Sequence, residues 1–592
     1  MSELVQVHRY TFVALTGCCS IAASLSSTYP KVRLPQLLAA ASVYLRIPTS
    51  SLSQKFLSCA RNSRIGTCAL LIALTLVASV FQLAAAEQEG APQTSLAPEL
   101  KPIAEELERW DAEAAWAGLK PLIAQQSTNV EVLQLAAETA FFRGEYEDAL
   151  KLARSALQIA GEESRIKGFA LLVESTLGII KSYKRYETAH FVISLDEKQD
   201  GILLQYLTDT LERTYQLIGD RYGFRPREKV RVELFADTKA FYYASTLSAR
   251  DIEVAGAVGL CKFNKLMFLS PRALVHGYRW LDAISHEYMH YMITKLTANK
   301  APIWFHEGLA EHEETLWRDE PAQISSVHQT LLARALADGR LISFARMDPG
   351  LVKLETPEDV QLAYAESESA IDFIIEKHGH AALKEIMTEM TRTDEKGTGS
   401  AIKNVTGLNF EEFEAKWKEF LASKKFKEVE GIGVHRYRLK EGLTDDDRME
   451  MREIKSMIAR NRAHLGDLLQ EKGRLDAAVV EYRRALKESR DSVPVLNRLS
   501  EALIKMEKLD DALEHLGRAR QLAPDHPNTY ASLGKIYLKR NNAKKAQEAL
   551  DNVIQINPFI PDAHRDLAVA YEMLGRNESA RSEREIFDRL NK

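Results

Sequence analysis

His286-Glu287-Tyr288-Met289-His290, with Trp304-Phe305-His306-Glu307-Gly308-Leu309-Ala310-Glu311 close behind it, is the stretch of this chain on which its reading turns. Two histidines four apart leave one face of a helix together, so both imidazoles reach a single metal ion, and the glutamate between them is placed to take a proton from a water that the metal activates. With 15 histidines in 592 residues, a chance H-E-x-x-H somewhere has a probability of roughly 3%, so the surroundings decide its weight. Trp280, Leu281, Ala283 and Ile284 precede the motif and Tyr291, Met292, Ile293 and Leu296 follow it, without a proline. This predicts a buried helix, where two histidines and a carboxylate need a partner such as a cation.

A catalytic zinc takes three protein ligands and leaves one position open. The break at Asn299 to Pro302 ends the first helix, and Pro302 is placed to start a second that packs back on it. Glu307 then faces the two histidines, and Glu311, one turn on, is placed to hydrogen-bond the outer ring nitrogen of His286 or His290. His306 and His312 are rival ligands, rotated from the Glu307 direction by about 100° and about 140° on an ideal helix.

These motifs resemble the gluzincins, and within them the bacterial peptidase MA-like family with its H-E-x-x-H followed by W-x-x-E-G-x-A. The resemblance runs from about Ala189 to Lys424, under half of the chain. It implies His286, His290 and Glu307 as zinc ligands, Glu287 as general base, and an α+β zincin-like catalytic lobe. The family also has a tyrosine in a later helix, and Leu362-Ala363-Tyr364-Ala365-Glu366-Ser367 looks like that segment. Tyr364 is then expected to aim its O–H at the oxygen that gains charge in peptide hydrolysis; the plainer reading is a core tyrosine. His378 and His380 are further acid candidates that no spacing selects.

Upstream the pattern alternates: His190–Leu195, Lys229–Phe235 and Lys265–Leu269 read as strands, with an amphipathic helix from Ile202 to Tyr222. In similar enzymes the last strand before the metal helix offers its edge to substrate, which makes Asn264 to Ser270 a candidate binding edge, the alternative being an interior strand. Gly256 and Gly259 mark a turn or close approach nearby.

A second signal is a period of 34 residues: Ala478, Ala512, Ala546 and Ala580 keep it, as do Leu465, Leu499, Leu533 and Leu567. That is the period of all-α tetratricopeptide repeats, whose alanines let paired helices approach and whose leucines fill the grooves between units. Gly144-Glu145-Tyr146-Glu147-Asp148-Ala149 resembles Lys508-Leu509-Asp510-Asp511-Ala512, so helical repeats are expected on both sides of the catalytic lobe. The expected organisation is an N-terminal extension (1–86), a helical segment (98–185), the peptidase domain (189–424), a linker (425–455) and a repeat array (456–592).

The composition, 45% hydrophobic and 27% charged with a net charge of −5, implies no strongly charged partner. Arg483, Arg484, Lys544 and Lys545 read as solvated helix faces, and no basic patch with interleaved aromatics argues for nucleic acid. Arg61 and Arg64 precede an apolar run, Ile65 to Leu83, that ends in Ala84-Ala85-Ala86. It reads as a signal peptide cleaved after Ala86 or as an uncleaved anchor through 65–86, with a weaker lipobox at Leu15-Thr16-Gly17-Cys18. Either form predicts export, to a bacterial periplasm or to an inner membrane facing it. Cys18, Cys19, Cys59 and Cys68 precede the cleavage point and leave Cys261 alone, so no internal disulfide is expected in the mature part. Two functions stand: an exported zinc-dependent peptidase acting on a peptide or protein, and a repeat scaffold for a protein partner whose metal site is degenerate or structural.

Overall fold

The computed structural model describes residues 96–592 apart from 162, 249–250, 252–255, 321, 349, 352–353, 394–396, 434–436 and 441–445. The signal-like run at 65–86, the motif ending at Cys18 and four of the five cysteines lie outside the described residues. Among the described residues no helix is long and apolar enough to cross a membrane.

Among the described residues five helices come first: α1 (Lys101–Glu108), α2 (Ala112–Gln125), α3 (Val130–Arg143), α4 (Tyr146–Ala160) and α5 (Ser164–Ile180). Gly144 turns α3 into α4 at a φ of 80°, a left-handed cap that glycine adopts without strain. The hairpin is tied to the sheet beneath it by buried polar groups. Arg231 reaches the carbonyl of Phe142, and the Tyr146 hydroxyl lies between Glu233 and Lys265. Lys265 and Glu233 form a buried ion pair at 2.6 Å.

The sheet has five strands among the described residues: β1 (Lys184–Glu187), β2 (Phe191–Leu195), β3 (Val230–Phe235), β4 (Gly259–Lys262) and β5 (Lys265–Leu269), in the order β1-β2-β3-β5-β4. Strands β2, β3 and β5 run parallel, and β1 and β4 close the two edges antiparallel. The alternating residues Phe191, Ile193 and Leu195, with the continuous apolar run of β5, pack against α6 (Leu204–Tyr222) and the helices beyond. β5 is thus an interior strand, and the sheet edge expected at Asn264 to Ser270 belongs to β4. Phe263 and Asn264 join β4 to β5 in a two-residue turn with φ of 57° and 56°. Phenylalanine is an unusual occupant of that left-handed conformation, so the sequence carries little hairpin signal there.

Under the sheet lie α7 (Trp280–Leu296), α8 (Ile303–Glu313), α9 (Ser326–Asp338) and α10 (Pro357–His378). Ala298 and Asn299 turn left-handed after α7, and Pro302 stands as the N-cap of α8, so the second helix folds back across the first. Gly308 makes the α8–α10 contact close: a Cβ there would sit 2.2 Å from the carbonyl oxygen of Ser367.

The repeats follow as four helix pairs: α11 (Met457–Glu471) with α12 (Leu475–Glu488), α13 (Val493–Lys505) with α14 (Leu509–Leu522), α15 (Pro527–Lys539) with α16 (Ala543–Ile556), and α17 (Pro561–Met573) with α18 (Asn577–Leu590). The four period-34 alanines are all buried, as are Leu499, Leu533 and Leu567. Leu465 is 41% exposed, because α11 begins the stack and no preceding hairpin among the described residues closes its groove. The array lies directly on the start of α7. Trp280 donates its indole N–H to the Ile554 carbonyl at 3.0 Å, Tyr278 donates its backbone N–H to Ile556 at 2.9 Å, and Arg279 pairs with Asp525 at 2.6 Å.

Candidate metal centre

Helix α7 supplies two imidazoles from adjacent turns, and the reversal at Ala298 to Pro302 brings the first turns of α8 against them. Nε2 of His286 and Nε2 of His290 lie 3.1 Å apart, and Oε2 of Glu307 lies 3.5 Å from the first and 3.4 Å from the second. Three ligands on one tetrahedral ion with bonds of 2.0–2.1 Å are about 3.3 Å from each other, so the triangle fits one zinc-sized cation.

The electrostatics agree with the geometry. Burial drives the Glu307 carboxyl up, but the charges and hydrogen bonds of His290 and His286 outweigh it and hold the group well below the usual carboxylate range. Burial likewise lowers His286, and its contacts with Glu307 and Glu314 more than offset that, so its imidazole sits well above its ordinary value. The cluster draws positive charge to the point where the three ligand atoms meet.

Around this triangle the positions differ from the expected ones in instructive ways. Nδ1 of His286 lies 3.4 Å from Glu314 and 4.0 Å from Glu311, so Glu314 is the nearer orienting carboxylate and Glu311 stands behind it. Glu314, seven residues after Glu307 and still helical at a φ of −60° and ψ of −28°, returns to within about 20° of the Glu307 direction, closer than Glu311 at about 40°. Glu311 sits in a second buried group with His328 and Glu368, from α9 and α10, where burial and Glu314 raise its carboxyl. Nδ1 of His306 lies 3.4 Å from Nδ1 of His290, on the outer side of that ring, and burial with the adjacent His290 lowers His306 to about 3. His306 therefore faces the back of a ligand rather than the ion. His312 pairs with Asp372 at 3.0 Å and His380 with Glu313 at 3.2 Å, both away from the triangle, while His378 is exposed.

Glu287 is buried beside β4. A Cβ on Gly259 would lie 2.7 Å from its Oε1, and the backbone N–H of Cys261 donates to its carboxylate. Burial raises Glu287, with His290 and His286 pulling the other way. Tyr364, on α10, is close enough to Glu307, Glu311 and Glu287 that their charges, after burial itself, hold its phenol well above its ordinary value. Tyr437, from the segment before the repeats, packs on Tyr278 with ring centres 6.0 Å apart and meets Gly256 ahead of β4. Position alone gave Tyr437 no signal, since its segment is set here by remote backbone pairing, Leu439 with Leu274 and Val275 N–H with the Arg438 carbonyl.

A convergent His, His and Glu set beneath a mixed sheet, joined to stacked helical hairpins, defines a metallopeptidase-like domain coupled to a protein-interaction repeat array. The chain carries a Peptidase MA superfamily domain at residues 216–423, followed by tetratricopeptide repeats matched at 469–536 and 503–559. Protein STIP1 homolog of Dictyostelium discoideum is 29% identical over 97 residues, 15% of this chain and 17% of that protein. The chain thus spans about a sixth of the curated relative it matches. Among solved structures, the thermophilic TPR protein TTC0263 of Thermus thermophilus is 24% identical, covers 22% of this chain and 72% of its own, and has a TM-score of 0.21. MamA is 22% identical, with 25% and 85% covered and a TM-score of 0.21.

Proposed function

We propose that this chain is an exported zinc-dependent peptidase in which His286, His290 and Glu307 hold the ion, Glu287 is the general base and Tyr364 assists charge development. The observation that carries it is the 3.1, 3.5 and 3.4 Å triangle of ligand atoms with Glu287 immediately beside it. Zinc bound there would polarise the scissile carbonyl and bring the pKa of water toward about 7. Glu287 receives the proton of the attacking water on its carboxylate and passes it to the leaving amine. Its burial raises its pKa, which favours the protonated form between those two events. The Tyr364 phenol, kept protonated at neutral pH, donates its O–H to the oxygen on which charge develops. An extended substrate would pair along the backbone of terminal strand β4, where the missing Cβ of Gly259 leaves room for the Glu287 carboxylate.

The repeats give this reading a second part. Because the array is fixed to the start of α7, a protein bound on it is held at a set position relative to the metal site, as a delivery surface requires. Export through residues 65–86, with Ala86 as the cleavage point or the run retained as an anchor, completes the proposal; the N-terminal sequence of the protein recovered from cells decides between them.

The test is Glu287→Gln in the full chain. Peptide hydrolysis should fall by about 10²–10⁴-fold with zinc stoichiometry unchanged. Wild-type turnover in that variant would remove Glu287 from the mechanism, and zinc-independent hydrolysis would remove the metal from it.

A further inference from the structure

Three parts of the chain that are distant in sequence, one of them close to the start of α7, meet at a second point where His526 is buried and His276 and Glu453 are half-buried. His276 comes from the loop between β5 and α7, Glu450 and Glu453 come from the segment that leads into the repeats, and His526 is the N-cap residue of α15. One ligand atom from each of His276, Glu453 and His526 lies within 4.8 Å of the others. Nε2 of His276 is 2.9 Å from Oε1 of Glu453, and the imidazoles of His276 and His526 lie with ring centres 4.3 Å apart and planes tilted by 40°.

His526 is 4% exposed, and its Nε2 is buried without a hydrogen bond. The nearest acceptor, Oε1 of Glu450 at 3.3 Å, lies outside hydrogen-bond geometry. An unsatisfied imidazole nitrogen this deep is costly unless something fills the point it faces. Its other nitrogen, Nδ1, lies 3.3 Å from the Asn497 amide. Turning that amide end for end lets Asn497 Oδ1 accept the Nδ1 proton and Nδ2 donate to the Thr529 hydroxyl, which is 2.9 Å away. Nε2 is then free of its proton and turned inward, the form in which histidine binds metal with its outer nitrogen held by a neighbour. The far oxygen of Glu450 is held by Arg498, and its near oxygen, which accepts from the Asn528 amide at 3.3 Å, lies 3.3 Å from His526 Nε2 with a second lone pair to offer.

We propose that His276, Glu453 and His526 bind a divalent cation of the zinc type, with Glu450 as the fourth ligand, and that this ion staples the catalytic domain to its repeat array. Two imidazoles and two carboxylates form a closed set suited to a structural rather than a catalytic ion. His276 lies four residues before Trp280, where the repeats dock on the helix carrying His286 and His290, so the staple fixes the position of the array against that helix. The inference is independent of peptide hydrolysis and of the first metal centre.

The experiment removes the first centre and counts what remains. Full-length His286→Ala/His290→Ala protein, titrated with Zn²⁺ by calorimetry and analysed for metal after desalting, should retain one equivalent per chain. Adding Glu453→Gln or His526→Gln should lose that equivalent and lower the zinc-dependent rise in melting temperature, with an unchanged circular dichroism spectrum. Zero equivalents in the double variant would overturn the proposal and leave two histidine–glutamate contacts in its place. Survival of the equivalent through both further substitutions would overturn it equally. Glu453, on the rim, serves as the substitution least disturbing to folding should His526→Gln be recovered unfolded.

Discussion

At the scale of single residues, the chemistry rests on carboxylates whose surroundings set them apart. Glu307 is held ionised by two imidazoles, while Glu287, a few ångströms off and beside β4, is raised by burial; this is the separation that ligand and base duties require. Glu307→Ala should therefore lose zinc, whereas Glu287→Gln should keep it, and elemental analysis of the two variants checks the assignment. A third carboxyl has no place in the reaction. Glu366 is fully buried on α10, accepts the Ile342 N–H on both oxygens at 2.9 and 3.1 Å, and burial pushes it to about 8. Its folded pKa exceeds the unfolded one, so its favourable contribution is complete below about pH 4.5 and is lost as pH rises to about 8. Glu366→Gln should flatten that loss, an effect on the order of a few kcal/mol, visible as a melting-temperature advantage over wild type that grows from pH 5 to pH 8.

At the scale of elements, two glycines set the spacing of the site. Gly308 lets α8 approach α10 so closely that a Cβ would strike the Ser367 backbone at 2.2 Å. That accounts for the glycine that follows the ligand in the W-x-x-E-G pattern. Gly308→Ala should destabilise the protein by about 1–3 kcal/mol and weaken zinc retention by displacing Glu307, as denaturant unfolding with and without a chelator would measure. Gly259 on β4 has the other role: its missing Cβ leaves room for the Glu287 carboxylate. Gly259→Ala should lower kcat by about 10²-fold with zinc content preserved, since only the base moves. The interior strands β2, β3 and β5 were legible from their alternation and apolar runs; β4, the edge strand beside Glu287, was not. Four residues with intermediate burial, closed by a phenylalanine in a left-handed turn, carry no pattern that distinguishes an edge from a loop.

At the scale of the whole molecule, the repeats brace the helix that carries His286 and His290. Gly277 turns left-handed at 77° and passes so close to the array that a Cβ would lie 2.1 Å from the Ile556 carbonyl oxygen. Gly277→Ala should therefore loosen the docking. Amide exchange at Trp280 to Ile284 should accelerate while exchange within α13 to α16 is retained, because each hairpin is stabilised mainly by its neighbours. The catalytic domain is held from its other side too, through Tyr146 and the buried Lys265–Glu233 pair, so the helices on both flanks fix the sheet that positions β4.

What the sequence determined by itself is whatever depends on local periodicity. The four-residue spacing of His286 and His290, the turn that returns Glu307 to them and the 34-residue repeat are each fixed by helical geometry over short distances, and each could be read without coordinates. What the tertiary structure decided depends on contacts between remote segments. It placed Glu314 nearer than Glu311 to His286, His306 behind His290, and β4 rather than β5 at the sheet edge. It also brought Tyr437 to the cleft and His276, Glu453 and His526 to one point. No period links Tyr437, His276, Glu453 and His526. Their meeting follows from how the segment before the repeats crosses Leu274 and how the repeats pack on Trp280, and packing of that kind is a property of the folded chain alone.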